Sequence, residues 1–338
     1  MHLALDAMGG DYGPRELIAG GVLAVELEDV EVSLVGDEKV ITRELATISI
    51  RSEVRDRLHI VHAPVVVGMG EHPVDAIRTK KDSSIMVAFD LAKSGNVQGV
   101  VSAGNSGATL AAAIRKLGRL KNVARPGIAS IFPTLKGPVV IMDVGANVEC
   151  RPAHLYQFAV MAGSVSSMYR SENPRVGLLT IGEESGKGNA LVKEAYDLLS
   201  KSTLNFIGNV EGRDVFRGDV DVIICDGFVG NICLKISEGL AEAVMKMLRD
   251  EILKSFLAKI GYLLARPAFR RFKKRVDYAE YGGAPLLGIN GTGIVCHGKS
   301  NAHAIKNALR EAMKMEQMNI NEVISRNLST PSMRSGAI

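Results

Sequence analysis

Residues 220–231 read VDVIICDGFVGN, and their residue pattern indicates the fold class. Valine and isoleucine follow one another between Asp221 and Asp226 without polar alternation, which is typical of a strand buried on both faces. A Gly-containing polar loop ends this run, and an apolar helical pattern begins near Cys233. The stretch therefore predicts a buried strand, a loop and a helix in succession.

The same arrangement recurs along the chain, because short apolar runs repeatedly end in Gly, Asp or Asn. The candidate strands are His2–Asp6, Val30–Val35, His59–Ala63, Val97–Ser102, Pro138–Val144, Arg175–Ile181, Asn205–Val210, Asp221–Asp226, Leu286–Asn290 and Ile294–His297. Helical patterns between them include Pro73–Leu91, Ala108–Leu117, Ala153–Met168 and Ala190–Leu199. Such alternation predicts a mainly parallel sheet with helices on both sides.

Composition limits the class of protein. The chain has 338 residues, of which 46% are hydrophobic and 23% charged, so a sizeable core is possible. A net charge of +4 is too small to predict nucleic-acid binding. Because no apolar run reaches about 18 residues and no signal-peptide pattern opens the sequence, we expect a cytoplasmic protein without a transmembrane helix.

Neither the cysteines nor the histidines predict a metal site. None of the four cysteines belongs to a CxxC pair, and scattered free cysteines fit a reducing cytosol. His59 and His62 lie three residues apart on a predicted strand, so their side chains are expected on opposite faces. No metal and no organic cofactor is predicted.

Glycine-rich polar loops follow the predicted strands. Glycine lets a ligand approach the backbone closely, and backbone N–H groups can surround an anion. Ligands of such sheets bind beyond the carboxyl ends of the strands, so the loops predict a polar, anionic ligand. Their sequences are DAMGGDYGP, SAGNSGA, DVGANVE, TIGEESGKGN, NVEGRD, CDGFVGN and GINGTG.

The loop TIGEESGKGN, residues 180–189, resembles a nucleotide-binding P-loop but lacks two of its requirements. The spacing from Gly182 to Gly186 is one residue too short, and Gly188 replaces the hydroxyl residue that would hold magnesium. One lysine beside a helix N-terminus suits a small anion such as orthophosphate. A solvated Lys187 on an ordinary loop is the alternative. No complete dinucleotide-binding fingerprint is present either.

Taken together, these motifs resemble a known family. LALDAMGGDYGP, SAGNSGA, DVGAN, IGEESGKGN, GNVEGRD, VDVIICDGFVGNICLK and YGGAPLLGINGTGIVCHGKSNAHAIKNAL occur in the order found in the bacterial phosphate acyltransferases called PlsX. The resemblance extends from about Leu3 to Asn307. It implies a three-layer α/β/α fold with a mainly parallel sheet, similar to phosphotransacetylases and isopropylmalate dehydrogenase, and a homodimer.

The resemblance also implies an activity. PlsX-type enzymes transfer a fatty acyl group from acyl carrier protein to inorganic phosphate, and the acyl phosphate serves a membrane glycerol-3-phosphate acyltransferase in phospholipid synthesis. No cofactor is implied. Because phosphate is itself a nucleophile, no covalent enzyme intermediate is required. The alternative, a cysteine acyl-enzyme, is disfavoured because Cys225 and Cys233 lie in apolar segments without an adjacent base.

Two residues are predicted to be catalytic. Lys187 can neutralise and orient phosphate, and Asn231 can donate to the thioester oxygen as it becomes an oxyanion. The Lys of GKGN and the Asn of FVGN match the family's proposed catalytic positions, so the resemblance implies the same roles. The predicted substrate-binding residues are Asn105, Ser106, Asn147, Gly186, Gly188, Asn189, Asp226, Asn290 and Thr292.

Residues 250–276 form a basic amphipathic segment. Phe256, Leu257, Ile260 and Leu264 recur at helical spacing, and Pro267 is expected to break or restart the helix. A basic, apolar helix predicts peripheral attachment to an anionic membrane, and the family's membrane association favours this interpretation. Docking of the acidic acyl carrier protein and packing at a dimer interface are the alternatives.

Residues 1–328 are predicted to form one catalytic domain, and residues 329–338 a flexible tail. Three other functions fit the sequence features. They are a coenzyme A-dependent phosphate acyltransferase, a non-catalytic membrane-surface scaffold that binds acyl carrier protein, and a dehydrogenase of similar layered architecture.

Overall fold

The structure, a computed structural model, describes residues 1–170, 172–276 and 278–329. Its eleven described strands form one sheet. They are β1 His2–Asp6, β2 Glu31–Gly36, β3 Leu58–His62, β4 Gly99–Ser102, β5 Gly127–Phe132, β6 Val139–Met142, β7 Val176–Leu179, β8 Phe206–Val210, β9 Val222–Ile224, β10 Ala284–Leu287 and β11 Thr292–Val295.

Helices connect most of these strands. They are α1 Pro14–Leu27, α2 Glu38–Ala46, α3 Ser52–Arg55, α4 Pro73–Thr79, α5 Ser84–Lys93, α6 Ser106–Leu117, α7 Pro152–Ser166, α8 Ala190–Ser200, α9 Gly227–Lys254, α10 Phe256–Val276, α11 Ala302–Gln317 and α12 Ile320–Ser329. Two 3₁₀ helices are Gly212–Phe216 and Tyr278–Tyr281.

The sheet consists of two parallel blocks that run in opposite directions. Its strand order is β3-β2-β1-β4-β11-β10-β5-β6-β9-β7-β8. β3, β2, β1, β4 and β11 are parallel to one another, as are β6, β9, β7 and β8. Between the blocks, β10 is antiparallel to both neighbours, and β5 is antiparallel to β6. The carboxyl ends of the two blocks therefore lie at opposite edges.

Alternating strand residues bury two separate cores, one on each face of the sheet. Leu3 and Leu5 of β1 point into one core, which also contains apolar residues of α1, α7, α8, α11 and α12. Ala4, between them, points into the other core, which contains residues of α4, α5 and α6. The predicted three-layer α/β/α fold with a mainly parallel sheet is confirmed.

One helix predicted as continuous is interrupted. The pattern Pro73–Leu91 predicts a single helix, whereas α4 ends at Thr79 and α5 begins at Ser84. The intervening segment pairs with the preceding loop, because the Lys80 ammonium contacts Glu71 at 2.6 Å and the Ser84 N–H donates to the Val65 oxygen. These contacts end the first helix despite the continuous apolar pattern.

The basic segment 250–276 belongs to two helices that form a hairpin. α9 ends at Lys254, Ser255 is extended, and α10 begins at Phe256. Pro267 lies inside α10, so the prediction that it breaks the helix is wrong. The rings of Tyr262 and Phe269, which precede and follow the proline in the sequence, pack against each other with centroids 5.0 Å apart, and α10 packs against α9.

Among the described residues, no helix has both the length and the apolar character that a bilayer crossing needs. Ser329 ends α12. The rest of the predicted tail, residues 330–338, lies outside the described residues.

Candidate active site

Four polar loops meet at one edge of the sheet. They follow β6, β9, β7 and β8, which are neighbours in that order and run parallel, so their carboxyl ends are adjacent. The loops and the helix starts that follow them contain residues 143–147, 225–231, 180–189 and 211–214. This edge therefore brings together Lys187, Asn231 and five other predicted site residues, namely Asn147, Gly186, Gly188, Asn189 and Asp226.

A buried carboxylate shapes the first of these loops. Asp143 is inaccessible to solvent and accepts hydrogen bonds from the backbone N–H groups of Ile128, Ala146 and Asn147 at 3.1, 3.0 and 2.7 Å. Burial raises the pKa of Asp143, while the hydrogen bonds from Ala146 and Asn147 oppose that rise. Asp143 was not singled out from the sequence, although an acidic residue at a strand end, within the stretch DVGAN, is a signal for this role.

Asn147 joins this loop to the start of α9. Its Nδ2 donates to Asp143 at 2.9 Å and to the Pro126 oxygen at 2.8 Å. Its carbonyl oxygen accepts the Gly227 N–H at 2.8 Å. Because the side-chain amide already has two partners, Asn147 holds the loop in place as well as lying at the predicted site.

Asn231 lies in the first turns of α9 and faces solvent. Asp226 caps this helix, with Oδ1 accepting the Val229 N–H at 2.9 Å. The backbone of Gly145 passes beside Asn231, since a Cβ atom added at Gly145 would lie 3.6 Å from the Asn231 Oδ1. Among the described residues no side chain or backbone group hydrogen-bonds the Asn231 amide, which leaves its N–H groups able to bind a ligand.

Lys187 lies on the exposed loop between β7 and α8. Asn189 caps α8 by accepting the Val192 N–H at 3.0 Å, so the helix N-terminus adjoins the loop. Gly188 has φ +99°, and a Cβ atom there would lie 2.7 Å from Thr180 Oγ1. Within the described part of the chain, the Lys187 ammonium has no ion-pair or hydrogen-bond partner. It is therefore available to an anion at this edge.

Two buried oxygen atoms beneath the lysine loop have no hydrogen-bond partner among the residues that the structure describes. They are Thr180 Oγ1 and Asn209 Oδ1. The Asn209 Nδ2 donates to the Glu184 oxygen at 2.7 Å, so the same side chain supports the loop. A buried polar atom of this kind normally completes its hydrogen bonds with an ordered water molecule.

Arg213 adds a second cation that sequence reasoning missed. It extends from the loop after β8 and pairs with Glu183 at 3.2 Å and with Glu211 at 3.1 Å. Glu183 follows Gly182 in the lysine loop, where an unpaired carboxylate would repel phosphate. The ion pair with Arg213 reduces that repulsion, and the separation of 30 residues gave no sequence signal of the contact.

Asn105 and Ser106 lie in a different group of loops, at the carboxyl ends of β1, β4 and β11. The Asn105 side chain accepts the Ala108 N–H at 3.0 Å and donates to the Met69 and Glu71 oxygens, each at 3.0 Å. Both the oxygen and the nitrogen of the Asn105 side chain thus already have partners within the protein. Ser106 is exposed at the start of α6.

A buried acid, Asp6, organises this second group. Its Oδ2 accepts the Ser102 hydroxyl at 2.7 Å, and burial raises the pKa of the Asp6 carboxyl. Gly9 and Gly104 pack so closely that a Cβ atom on Gly9 would lie 2.6 Å from the Gly104 nitrogen. The second group is therefore built around backbone contacts that only glycine permits.

Asn290 and Thr292 are not brought to either catalytic candidate by any described contact. Asn290 is exposed after β10, and its N–H donates to the Gly118 oxygen at the end of α6. Thr292 is 2% exposed and donates its hydroxyl to Glu316. The interpretation of Thr292 as a lining residue overlooked that it begins β11 and points into the protein.

Helix α9 connects the two groups of loops. Lys235 lies one turn beyond Asn231, so the two side chains share a face of the helix. The Lys235 ammonium contacts Glu238 at 2.9 Å and His297, which follows β11, at 3.2 Å. The contact between Lys235 and His297 therefore brings the early part of α9 next to the loop after β11.

The cysteine thiols are poor nucleophiles in this environment. Burial, followed by the charges of Asp143 and Asp226, raises the pKa of Cys150 to about 11. Burial also raises the pKa of Cys225 and Cys233, and it raises that of Cys296 to about 12. Since the thiolate is the reactive form, none of the four favours an acyl-enzyme.

The sequence matches the family described as "Fatty acid synthesis protein" over residues 1–323. The chain belongs to this family. A phosphate acyltransferase of Geotalea uraniireducens is 54% identical over 330 residues, covering 97% of this chain and 94% of the relative. A phosphate acyltransferase of Geobacter sulfurreducens is 52% identical over 332 residues, covering 98% and 95%. Membership confirms the resemblance inferred from the motifs and the prediction of an acyltransferase enzyme.

Solved structures with the same fold share little sequence with the family member described here. A phosphotransacetylase from Streptococcus pyogenes has a TM-score of 0.61 and 14% identity, covering 98% of this chain and 94% of its own. EutD phosphotransacetylase from Staphylococcus aureus has a TM-score of 0.59 and 14% identity, covering 96% and 94%. These similarities confirm the phosphotransacetylase-like fold.

Proposed function

We propose that this protein transfers a fatty acyl group from acyl carrier protein to inorganic phosphate. The products are acyl phosphate and the free thiol of the carrier. The observation that carries the proposal is the adjacency of the Lys187 loop and the Asn231 helix at the ends of the neighbouring strands β7 and β9. The names of the close relatives support phosphate as the acceptor.

Lys187 and the N-terminus of α8 bind the phosphate. An ammonium group and a helix N-terminus both favour an anion, and the exposed Lys187 has no competing acid partner among the described residues. Gly186 and Gly188 allow phosphate to approach the backbone, and Asn189 holds the helix end in place.

Asn231 stabilises the transition state. A phosphate oxygen attacks the thioester carbon and forms a tetrahedral intermediate, in which the carbonyl oxygen carries negative charge. The Asn231 amide and the positive end of α9 stabilise that charge, as donors in oxyanion holes do. Collapse of the intermediate breaks the carbon–sulfur bond, and the carrier's thiolate leaves and takes a proton from solvent.

The acyl group passes directly to phosphate without a covalent enzyme intermediate. Phosphate supplies the nucleophile, and holding it against the thioester supplies much of the acceleration through proximity. The raised pKa values of the cysteine thiols support this route over an acyl-cysteine.

The test uses purified protein, long-chain acyl carrier protein and inorganic phosphate. Free carrier thiol and acyl phosphate are measured together, with and without phosphate. The proposal expects both products in equal amounts and only when phosphate is present. Thiol release without acyl phosphate would identify a thioesterase instead. A parallel reaction with acyl-coenzyme A tests the alternative donor, which is favoured if it reacts faster than the carrier.

The hairpin of α9 and α10 attaches the enzyme to an anionic membrane surface. Phe256, Leu257 and Leu264 are each more than three-quarters exposed, and Ile260 is 44% exposed. Basic residues follow them in α10, including Arg266, Arg270 and Arg271. Apolar side chains beside basic ones suit the boundary between lipid head groups and acyl chains. Acyl phosphate formed there would be accessible to a membrane glycerol-3-phosphate acyltransferase for phospholipid synthesis.

A homodimer forms along α9. Ile236, Leu240, Val244 and Met247 are each at least half exposed and recur at helical spacing, which makes an apolar stripe. Sequence reasoning restricted to residues 250–276 missed this stripe. Sedimentation at micromolar concentration tests the assignment, since Leu240→Arg is expected to give monomers, whereas Leu27→Arg on α1 is not.

A further inference from the structure

Three side chains with metal-binding atoms lie together on the β1–β2–β3 part of the sheet. They are His2, the first residue of β1, Glu31, the first residue of β2, and His59 in β3. One ligand atom from each lies within 4.8 Å of those from the other two. His59 Nε2 contacts Glu31 Oε2 at 2.9 Å, and the two imidazole rings are 5.1 Å apart.

Strand register places these side chains on one face. His2 pairs with Glu31 across β1 and β2, and Ser33 pairs with His59 across β2 and β3. Glu31 and Ser33 are two residues apart, so they share a face of β2. The three candidate ligands are consequently held by three hydrogen-bonded strands rather than by a loop.

We propose that His2, Glu31 and His59 form a zinc-binding site. Two imidazoles and one carboxylate are typical protein ligands of zinc, with water in the fourth position. Zinc–ligand bonds of about 2.0 Å place donor atoms about 3.3 Å apart in a tetrahedron. The His59 and Glu31 side chains are 42% and 49% exposed. They can therefore rotate until their ligand atoms reach the tetrahedral spacing, without displacing a core residue.

Ser33 orients the third ligand. Its hydroxyl lies 2.9 Å from His2 Nε2, which leaves Nδ1 of the same ring able to bind zinc. A partner on the second nitrogen fixes the ring orientation and strengthens a histidine ligand. Ser33 is 3% exposed, so this partner is itself fixed by the sheet.

The site is separate from the proposed active site. Four strands lie between β1 and β6, which at 4.8 Å per strand is about 24 Å across the sheet. Zinc here would join the first three strands to one another and stabilise them. No step of acyl transfer depends on it.

The experiment measures zinc binding by the chelator-treated full chain, using calorimetry and thermal unfolding. One equivalent of zinc with a micromolar Kd and a raised Tm are expected. His59→Gln and Glu31→Gln should each weaken binding at least tenfold and remove the Tm increase, while Ser33→Ala should weaken it about tenfold. Tm without zinc checks that each variant is folded.

His62→Gln is the matched control. His62 lies on the same strand as His59 but on the opposite face, where its Nδ1 accepts the Glu38 N–H at 3.3 Å. This variant should bind zinc as the unaltered chain does. The proposal would be overturned if trace zinc did not bind when the protein was in 100-fold excess. It would also be overturned if the folded variants His59→Gln and Glu31→Gln bound zinc as tightly as the unaltered chain.

Discussion

The carbonyl oxygen of Asp143 lies directly against Gly230. A Cβ atom added at Gly230 would be 1.9 Å from that oxygen, far inside van der Waals contact. The contact brings the loop after β6 against the first turn of α9, where Asn231 is the next residue. The position of Asn231 relative to the Asp143 loop thus depends on the absence of a side chain at residue 230.

Gly230→Ala is expected to displace the start of α9 and lower both stability and turnover. Overpacking of this kind typically costs about 1–3 kcal/mol. Gly239→Ala provides the control on the same helix, because a Cβ atom there meets nothing within 4 Å. Alanine at that position should stabilise the helix by up to ~1 kcal/mol. Urea unfolding and steady-state turnover measure both effects, and equal stability of the two variants would contradict the contact.

Asn231→Ala is expected to reduce kcat about 10²–10³-fold, the usual effect of losing one oxyanion donor. The Tm should change little, because Asn231 is exposed and makes no hydrogen bond within the described residues. Turnover at saturating substrates and thermal unfolding together check the assignment. A variant with normal kcat would show that another group stabilises the oxyanion.

Lys187→Met is expected to raise the KM for phosphate at least tenfold, because methionine keeps much of the side-chain length but removes the charge. Lys193→Met is the matched control, since Lys193 is also exposed but lies within α8 rather than on the loop. Initial rates at varied phosphate distinguish the two lysines. Similar KM values for both variants would mean that general surface charge, rather than the loop, attracts phosphate.

Alkylation of Cys150 is expected to accelerate about tenfold per pH unit from pH 8 to pH 10. A thiol with a pKa of about 11 is only about 10⁻³ ionised at pH 8, whereas one at the ordinary value of 9.0 would approach full ionisation by pH 10. Mass spectrometry of the Cys150 peptide follows the rate. A plateau just above pH 9 would contradict the burial of this thiol. Cys150→Ala should retain turnover.

Leu257→Glu with Ile260→Glu is expected to release the protein from vesicles containing anionic lipid. Two charges would then replace apolar contacts at the membrane boundary. Leu27→Glu is the control, because Leu27 is 66% exposed on α1, outside the hairpin. Vesicle sedimentation provides the measurement, with circular dichroism to check folding. Unchanged binding by the folded double variant would exclude this hairpin as the attachment surface.

Much of the fold was predictable because local patterns determine it. Runs such as Val222–Ile224 contain residues that suit a strand buried on both faces. Each of the ten predicted strands overlaps a strand of the structure, although the predictions for β10 and β11 overlap by only two residues each. The missed strand, β5, pairs antiparallel with both neighbours. Its direction depends on the chain reversal at residues 133–138, and no periodicity within Gly127–Phe132 reports that reversal.

The catalytic roles of Lys187 and Asn231 stay predictions made from their motifs. Lys187 on its loop and Asn231 near the start of α9 both face solvent, so both side chains are free to contact a ligand. Asn105 and Thr292 are polar residues in glycine-rich stretches too, but hydrogen bonds within the protein occupy their side chains. The pairing of Arg213 with Glu183 joins positions 30 residues apart, and only the neighbouring arrangement of β7 and β8 explains it.

Helix α9 sets a fixed length in this protein. Asn231 lies near one end and Lys254 ends the other, a separation of about 35 Å at 1.5 Å per residue. Asn231 therefore lies at a fixed distance from whatever surface the turn of the hairpin contacts. One heptad inserted in α9 and another in α10 would increase that distance by about 10 Å while leaving both ends chemically unchanged. The distance between Asn231 and the turn of the hairpin can therefore be changed without changing the residues at either end of α9.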